Sequence, residues 1–92
     1  MKKFFYRVQE GDTISSIAQE FNAPIGRLIH INNLTKDVLA GDIILIEKVD
    51  NVYLVKPLDT LEGLAKRFNL SPQELLDKNY LEYIYCGLLI EI

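Results

Sequence analysis

Along the first half of the chain the spacing of apolar residues switches from crowded to helical and back. Phe4 to Val8 is dense in aromatic and β-branched residues and stops at Gln9-Glu10-Gly11-Asp12, which reads as a short strand ended by a turn. Ile14, Ile17, Ala18 and Phe21 then recur at helical spacing, so a helix with one apolar face follows. Ile25, Leu28, Ile29 and Asn32 share the inner face of a second helix that starts near Pro24 and has Gly26 as a weak point. Ile43 to Glu47 closes the segment as a second strand. The second half repeats this grammar: Val52 to Val55 as a strand, Leu61, Leu64, Ala65 and Phe68 on one helix face, Leu75 and Leu76 on the next, and Leu88 to Ile92 as the closing strand.

The likeness between the halves extends to single residues. At an offset of 47, Tyr6, Val8, Asp12, Thr13, Ala18, Phe21, Asn22, Leu28 and Asn32 meet Tyr53, Val55, Asp59, Thr60, Ala65, Phe68, Asn69, Leu75 and Asn79. One deletion in the following loop then aligns Gly41, Ile44 and Ile46 with Gly87, Ile90 and Ile92. Helix boundaries are marked by polar residues. Asp12 or Thr13, and Asp59 or Thr60, are placed to cap the first helices, Asp59 with Glu62 having capping-box spacing. Asn22 and Asn69 suit the left-handed position that ends a helix. Ser71-Pro72-Gln73-Glu74 combines a Ser cap, Pro in the first helical position and Glu three residues after the cap.

In each unit one strand opens and the other closes the segment, so they pair as an antiparallel ribbon. The expected fold is α+β: two tandem βααβ units, each a two-stranded antiparallel sheet with two helices packed on one face. The units span 1–48 and 52–92. The connection of residues 49–51 is too short for a flexible tether, so the units are held close.

Composition narrows the function without naming it. The 92 residues are 49% hydrophobic and 25% charged, as in an ordinary soluble globular chain. Such a length excludes a large catalytic architecture. With 10 Lys and Arg against 13 Asp and Glu there is no basic field for a phosphate backbone, and nucleic acid is not an expected ligand. Nor is a membrane. The single cysteine, Cys86, forms no internal disulfide, and with the single histidine, His30, it makes no metal site. No cofactor is implied. Met1-Lys2-Lys3 imitates a signal n-region, but Tyr6-Arg7 and Glu10 interrupt before an apolar core develops. The expectation is therefore a chain that works inside the cell that makes it, or a trimmed or phage-type product released by another route.

Tyr6-Arg7-Val8-Gln9-Glu10-Gly11-Asp12-Thr13-Ile14-Ser15-Ser16-Ile17-Ala18, with Phe21-Asn22, Asn32-Asn33-Leu34 and Leu39-Ala40-Gly41-Asp42, resembles the LysM domain, the βααβ module of cell-wall proteins. The second unit resembles it less faithfully: Pro57 and Leu58 stand where Glu10 and Gly11 stand in the first. The resemblance implies non-catalytic binding of N-acetylglucosamine-containing glycans, peptidoglycan or chitin, between the loop after the first strand and the loop before the last. Carried over by position, the glycan site is Gly11, Asp12, Thr13, Ile14, Asn33, Leu34, Asp37, Val38 and Leu39. A second candidate site is Asp59, Thr60, Leu61, Tyr80, Leu81, Tyr83 and Ile84. With its altered loop, the second unit is expected to dock a protein partner or stabilise the first. The alternative the family offers is an assembly module of the spore-coat or phage tail and baseplate kind.

Other readings of these residues are structural. Asp12 and Asp59 serve as helix caps, and Glu10 with Asp12 make a poor acid/base pair because an exposed turn does nothing to raise a carboxyl pKa. His30 is a surface group near the end of its helix, Cys86 a small buried filler, and Tyr6 and Tyr53 pack within their strands. Asn32 and Asn79 satisfy backbone groups beneath the groove.

Overall fold

A computed structural model describes residues 2–92; Met1, which opens the first unit of the sequence reading, lies outside them. The first repeat runs β1 (Lys2–Arg7), α1 (Ile14–Phe21), α2 (Ile25–Ile31), β2 (Ile43–Lys48), and the second β3 (Val52–Leu54), α3 (Leu61–Arg67), α4 (Pro72–Lys78), β4 (Leu89–Glu91). Strands β1 and β2 pair antiparallel with Phe4 opposite Ile46 and Tyr6 opposite Ile44, and β3 pairs with β4 with Tyr53 opposite Ile90. The two βααβ units expected from the periodicity are present.

The helix caps differ from the sequence reading in one respect. Thr13 and Thr60, not the aspartates, cap α1 and α3: Thr13 Oγ1 accepts from the Ser16 amide at 3.1 Å and Thr60 Oγ1 from the Gly63 amide at 3.0 Å. Ser16 Oγ accepts from the Thr13 amide in return, a capping box, whereas Glu62 supplies only acidic charge to the first turn of α3. The aspartates are engaged elsewhere. Asp12 Oδ2 accepts from the Tyr6 hydroxyl at 2.6 Å and the Gln9 amide at 2.8 Å, and Asp59 Oδ2 accepts from Tyr53 at 2.7 Å and Lys56 at 2.8 Å. The tyrosines therefore do more than pack: each ties its strand to the turn before the first helix. At α4 the Ser71 and Glu74 capping box forms with Pro72 in the first turn, and Asn22 and Asn69 adopt φ of 52° and 64°.

Asn32 and Asn79 join helix to strand. In repeat 1 the Asn32 side-chain amide donates to the Leu28 and Leu45 carbonyls while its Oδ1 accepts from the Leu45 amide. Asn79, wholly buried, repeats the pattern with Leu75 and Glu91. A buried side chain that satisfies three backbone groups at once is costly to replace, because each orphaned group keeps its desolvation penalty.

A single hydrophobic cluster runs through both repeats, from Val8, Ile17, Leu28 and Ile46 to Val55, Leu64, Leu75 and Ile90. Units this small bury a modest fraction of their surface, so a shared cluster adds to the stability of both. Gly26 lies at the joint. A Cβ there would collide with the Asn79 carbonyl oxygen and stand 3.2 Å from Leu81 Cδ2, so glycine lets α2 approach the second repeat. It is thus no weak point. The neighbouring Arg27 reaches Glu47 of β2 and Glu91 of β4, both at 2.6 Å, and His30 stacks on Tyr80 with ring centroids 3.8 Å apart. Burial opposes the charge of Arg27, but the hydrogen bond to Glu47 and the charges of Glu91 and Glu47 outweigh it and hold the guanidinium above its ordinary value. In the connection, Val49 is buried and its amide donates to the Asn22 carbonyl. Cys86, expected to be buried, is exposed, because it sits in the turn that carries the chain outward to Gly87 at φ 95°.

Gly26→Ala is expected to lower stability by about 3 kcal/mol, the upper end for an overpacked site. Asn79→Ala is expected to cost at least about 3 kcal/mol through its three orphaned backbone groups. Urea unfolding checks both; a Gly26→Ala midpoint equal to that of the parent would show that the repeats can part without loss.

Candidate functional site

In repeat 1 the two loops are drawn together by backbone and carboxylate bonds. The Val8 amide donates to the Asp42 carbonyl and the Gly41 amide to the Val8 carbonyl, each at 2.8 Å, which sets the loop before β2 beside the end of β1. Asp37 completes the closure. Its Oδ1 accepts from the Ile14 amide at the start of α1 and from the Val38 amide, each at 2.8 Å. A first-turn helix amide has no intrahelical partner, so the carboxylate that fills this need also fixes one wall of the cleft against the other.

Between these walls lies a cleft of about 380 Å³ lined by Ile14, Ile29, Leu34, Thr35, Lys36 and Asp37. Three of the nine residues carried over by position line it: Ile14, Leu34 and Asp37. The others have different settings. Thr13 caps α1, Asp12 holds Tyr6 and Gln9, and Val38 points into the core. Leu39 is exposed with its amide donating to Asp42, Asn33 is exposed at φ 51°, and Gly11 is open at φ 89° with nothing near its missing Cβ. Ile29, Thr35 and Lys36 were missed. Ile29 carries an inner-face helical signal that reads as core, and Thr35 and Lys36 fall between two named residues with no pattern of their own.

Repeat 2 does not gather its candidates in the same way. Asp59 binds Tyr53 and Lys56, and Thr60 caps α3. Leu61, Leu81 and Ile84 are partly buried against the core, and Tyr80 lies on His30 of repeat 1. Tyr83 is exposed and makes a tilted pair with Tyr85, ring centroids 5.9 Å apart. With one residue deleted from this loop, Ile84 takes the place of Val38 and Tyr83 that of Asp37, so the carboxylate that closes the cleft of repeat 1 has no counterpart. Leu58 holds the position of Gly11 at φ 76° with its side chain 99% exposed. An L side chain in the left-handed region is strained, and here no burial compensates it.

The carboxylates are tuned away from acid catalysis. The Tyr6 hydroxyl and the Gln9 amide hold Asp12 below the usual carboxylate range, as the Lys56 amide and the Tyr53 hydroxyl do for Asp59. A general acid for glycoside cleavage needs the opposite shift. Tyr6, bonded to Asp12, is pushed up to about 12. Among the described residues no three His, Cys, Asp or Glu side chains gather as a metal site.

The family model of the LysM domain matches residues 6–46 and again residues 53–87. The chain belongs to the LysM family. The N-acetylmuramoyl-L-alanine amidase sle1 of Staphylococcus saprophyticus is 29% identical over 86 residues, covering 80% of this chain and 26% of the amidase. The spore cortex-lytic enzyme SleL of Bacillus cereus shares the fold of the LysM pair, with a TM-score of 0.50 at 20% identity over 100% of this chain and 22% of the enzyme. SleL of Bacillus megaterium gives a TM-score of 0.46 at 28% identity over 96% of the chain and 22% of the enzyme. The LysM pair thus spans about a quarter of the length of these relatives. No helix among the described residues is long and apolar enough to cross a membrane.

The tuned groups define two pH limits. Asp12 and Asp59 have folded values below the ordinary 3.8, so their stabilisation is complete above that value and is lost as pH falls through the depressed ones. Tyr6 has a folded value of about 12 against 10.0, so its contribution is complete below pH 10 and is lost as pH rises toward 12. Unfolding midpoints against pH should fall at both ends, with Tyr6→Phe flattening the alkaline limb. Leu58→Gly is expected to stabilise by roughly 0.5–1 kcal/mol, since strain is relieved and no packing is lost; a lower midpoint would refute the strain at this turn.

Proposed function

We propose that this LysM pair is a non-catalytic binder of N-acetylglucosamine-containing glycan, with peptidoglycan favoured over chitin, and that the cleft of repeat 1 is its reading site. The mixed lining of that cleft carries the reading. Ile29 and Leu34 offer apolar surface to an acetyl methyl and a sugar face, while Thr35, Lys36 and Asp37 offer polar groups to hydroxyl and acetamido positions. The relatives support the ligand class: one is named for an N-acetylmuramoyl bond and another for lysis of spore cortex. On this reading the molecule is associated with wall or spore, and any cleavage belongs to another domain or chain.

The functional units are 1–48 and 52–92 on the connection 49–51. Their roles differ. The site residues are Ile14, Leu34 and Asp37 of the positional set, joined by Ile29, Thr35 and Lys36, with Gly11, Asp12, Thr13, Asn33, Val38 and Leu39 as its frame and rim. Repeat 2 acts first as a stabiliser, since β4 and the turn after α4, Asn79 to Leu81, pack on the helices of repeat 1. A second reading, that repeat 2 also docks a protein, is favoured by exposed Leu58, Tyr83 and Tyr85 on its loops.

Titration of the labelled chain with soluble peptidoglycan fragments and chitin oligosaccharides should shift the amides of Ile14 and Leu34 to Asp37 before those of Thr60, Leu61 and Tyr80 to Ile84. Thr35→Trp, which fills the cleft from an exposed position, is expected to weaken binding about tenfold or more, a loss of about 1.4 kcal/mol. Absence of shifts, together with no retention of the folded chain on insoluble peptidoglycan, would overturn the glycan reading.

A further inference from the structure

The two sheets have equivalent outer faces in unlike surroundings. In repeat 2 the outward side of β4 is closed: Glu91 is paired with Arg27 of α2, and Leu89, on the same side of the strand, is only 6% exposed. The joint is heterologous, with the outer side of β4 laid on the helices of the unit before it, while Leu54 of β3, opposite Leu89, remains exposed. The corresponding residues of repeat 1 are Ile43 and Leu45, matched to Leu89 and Glu91 by the shared Asn32 and Asn79 bonds. Ile43 is 56% exposed, and beside it Phe5, opposite Leu45, is 75% exposed. The part of this face around Ile43 and Phe5, flanked on β1 by Arg7 and Lys3, stands open, while at its far end Glu47 is buried by its pairs with Arg27 and Lys3.

The opposite end of the stack is closed by its residues. The helix surface that would receive a third unit is the first turn of α4, where Gln73 and Glu74 stand in the places of Gly26 and Arg27. A side chain at the glycine position collides with the backbone of the next unit, as the Asn79 carbonyl would show at Gly26. Glu74 also replaces the cation that pairs with the strand.

We infer that the outer face of the β1–β2 sheet, centred on Ile43, Leu45 and Phe5, is an acceptor surface for the first helical turn of another LysM unit that carries glycine at the Gly26 position. By the same reasoning repeat 2 is a terminal cap, and Gln73 and Glu74 keep copies of this chain from stacking on one another. This inference is independent of the glycan reading, because neither surface borders the cleft.

The test mixes two full-length chains. The donor is Gln73→Gly/Glu74→Arg with Ile43→Lys, so that it offers a repaired helix turn and accepts nothing; the acceptor is the unaltered chain. Sedimentation should show a 1:1 complex, tightened about tenfold by Leu45→Glu in the acceptor, which restores the partner of the arginine, and abolished by Ile43→Lys there. The unaltered chain alone should sediment as a monomer at all concentrations. Because Glu74→Arg removes half of the α4 capping box, a second donor keeps Glu74 and carries Gln73→Gly and Ile43→Lys alone. No complex with either donor, melting curves showing both folded, would overturn the acceptor surface, as would a complex that survives Ile43→Lys in the acceptor. Self-association of the unaltered chain through Ile43 would overturn the cap.

Discussion

The approach of α2 to the second repeat, at Gly26 against the Asn79 carbonyl, is the contact on which the rest of the molecule depends. Backbone meets backbone there, so no side chain can absorb a misfit. The contact brings Arg27 within reach of Glu91 and lays His30 on Tyr80, and it seats β4 against the helices of repeat 1. Two small units become one body with a common cluster. An arginine shared by two carboxylates adds direction to that apolar contact, since its charges are satisfied in one arrangement of the repeats.

Asn79 links this joint to the interior of its own unit. Its side chain fastens α4 to β4 while its carbonyl faces Gly26, so the packing of a helix on a strand and of one repeat on the other share a residue. Asn32 has the same side-chain bonds in repeat 1. The two repeats are thus alike in their internal bonding and unlike in what surrounds them.

The loops show a similar division between shared framework and private chemistry. Both repeats tie a strand tyrosine to the aspartate of the following turn and cap the next helix with threonine. Repeat 1 then closes its loops with a carboxylate on a helix amide, through Asp37, and there the mixed lining of the cleft collects. In repeat 2 the deleted loop residue leaves tyrosine and isoleucine where that carboxylate and its buried neighbour would be. Tyr80 is drawn into the joint instead.

Element order, the antiparallel pairing, the Ser71 box and the left-handed asparagines were legible in the sequence, because each depends on residues a few positions apart. The repeat was legible for the same reason, and with it the family. Interactions across longer spans were not. Whether Asp12 or Thr13 capped α1 was settled by a tyrosine six residues away in space-filling reach of the aspartate, and Val38 and Ile29 could be assigned to core or cleft only once both loops had been placed. Gly26 reads locally as a flaw and Cys86 as a filler; one is the seat of the joint and the other is exposed. A sequence determines local propensity and periodicity through neighbours along the chain. Which surfaces meet was decided by the tertiary structure, where a missing Cβ or a single charge pair acts between residues tens of positions apart.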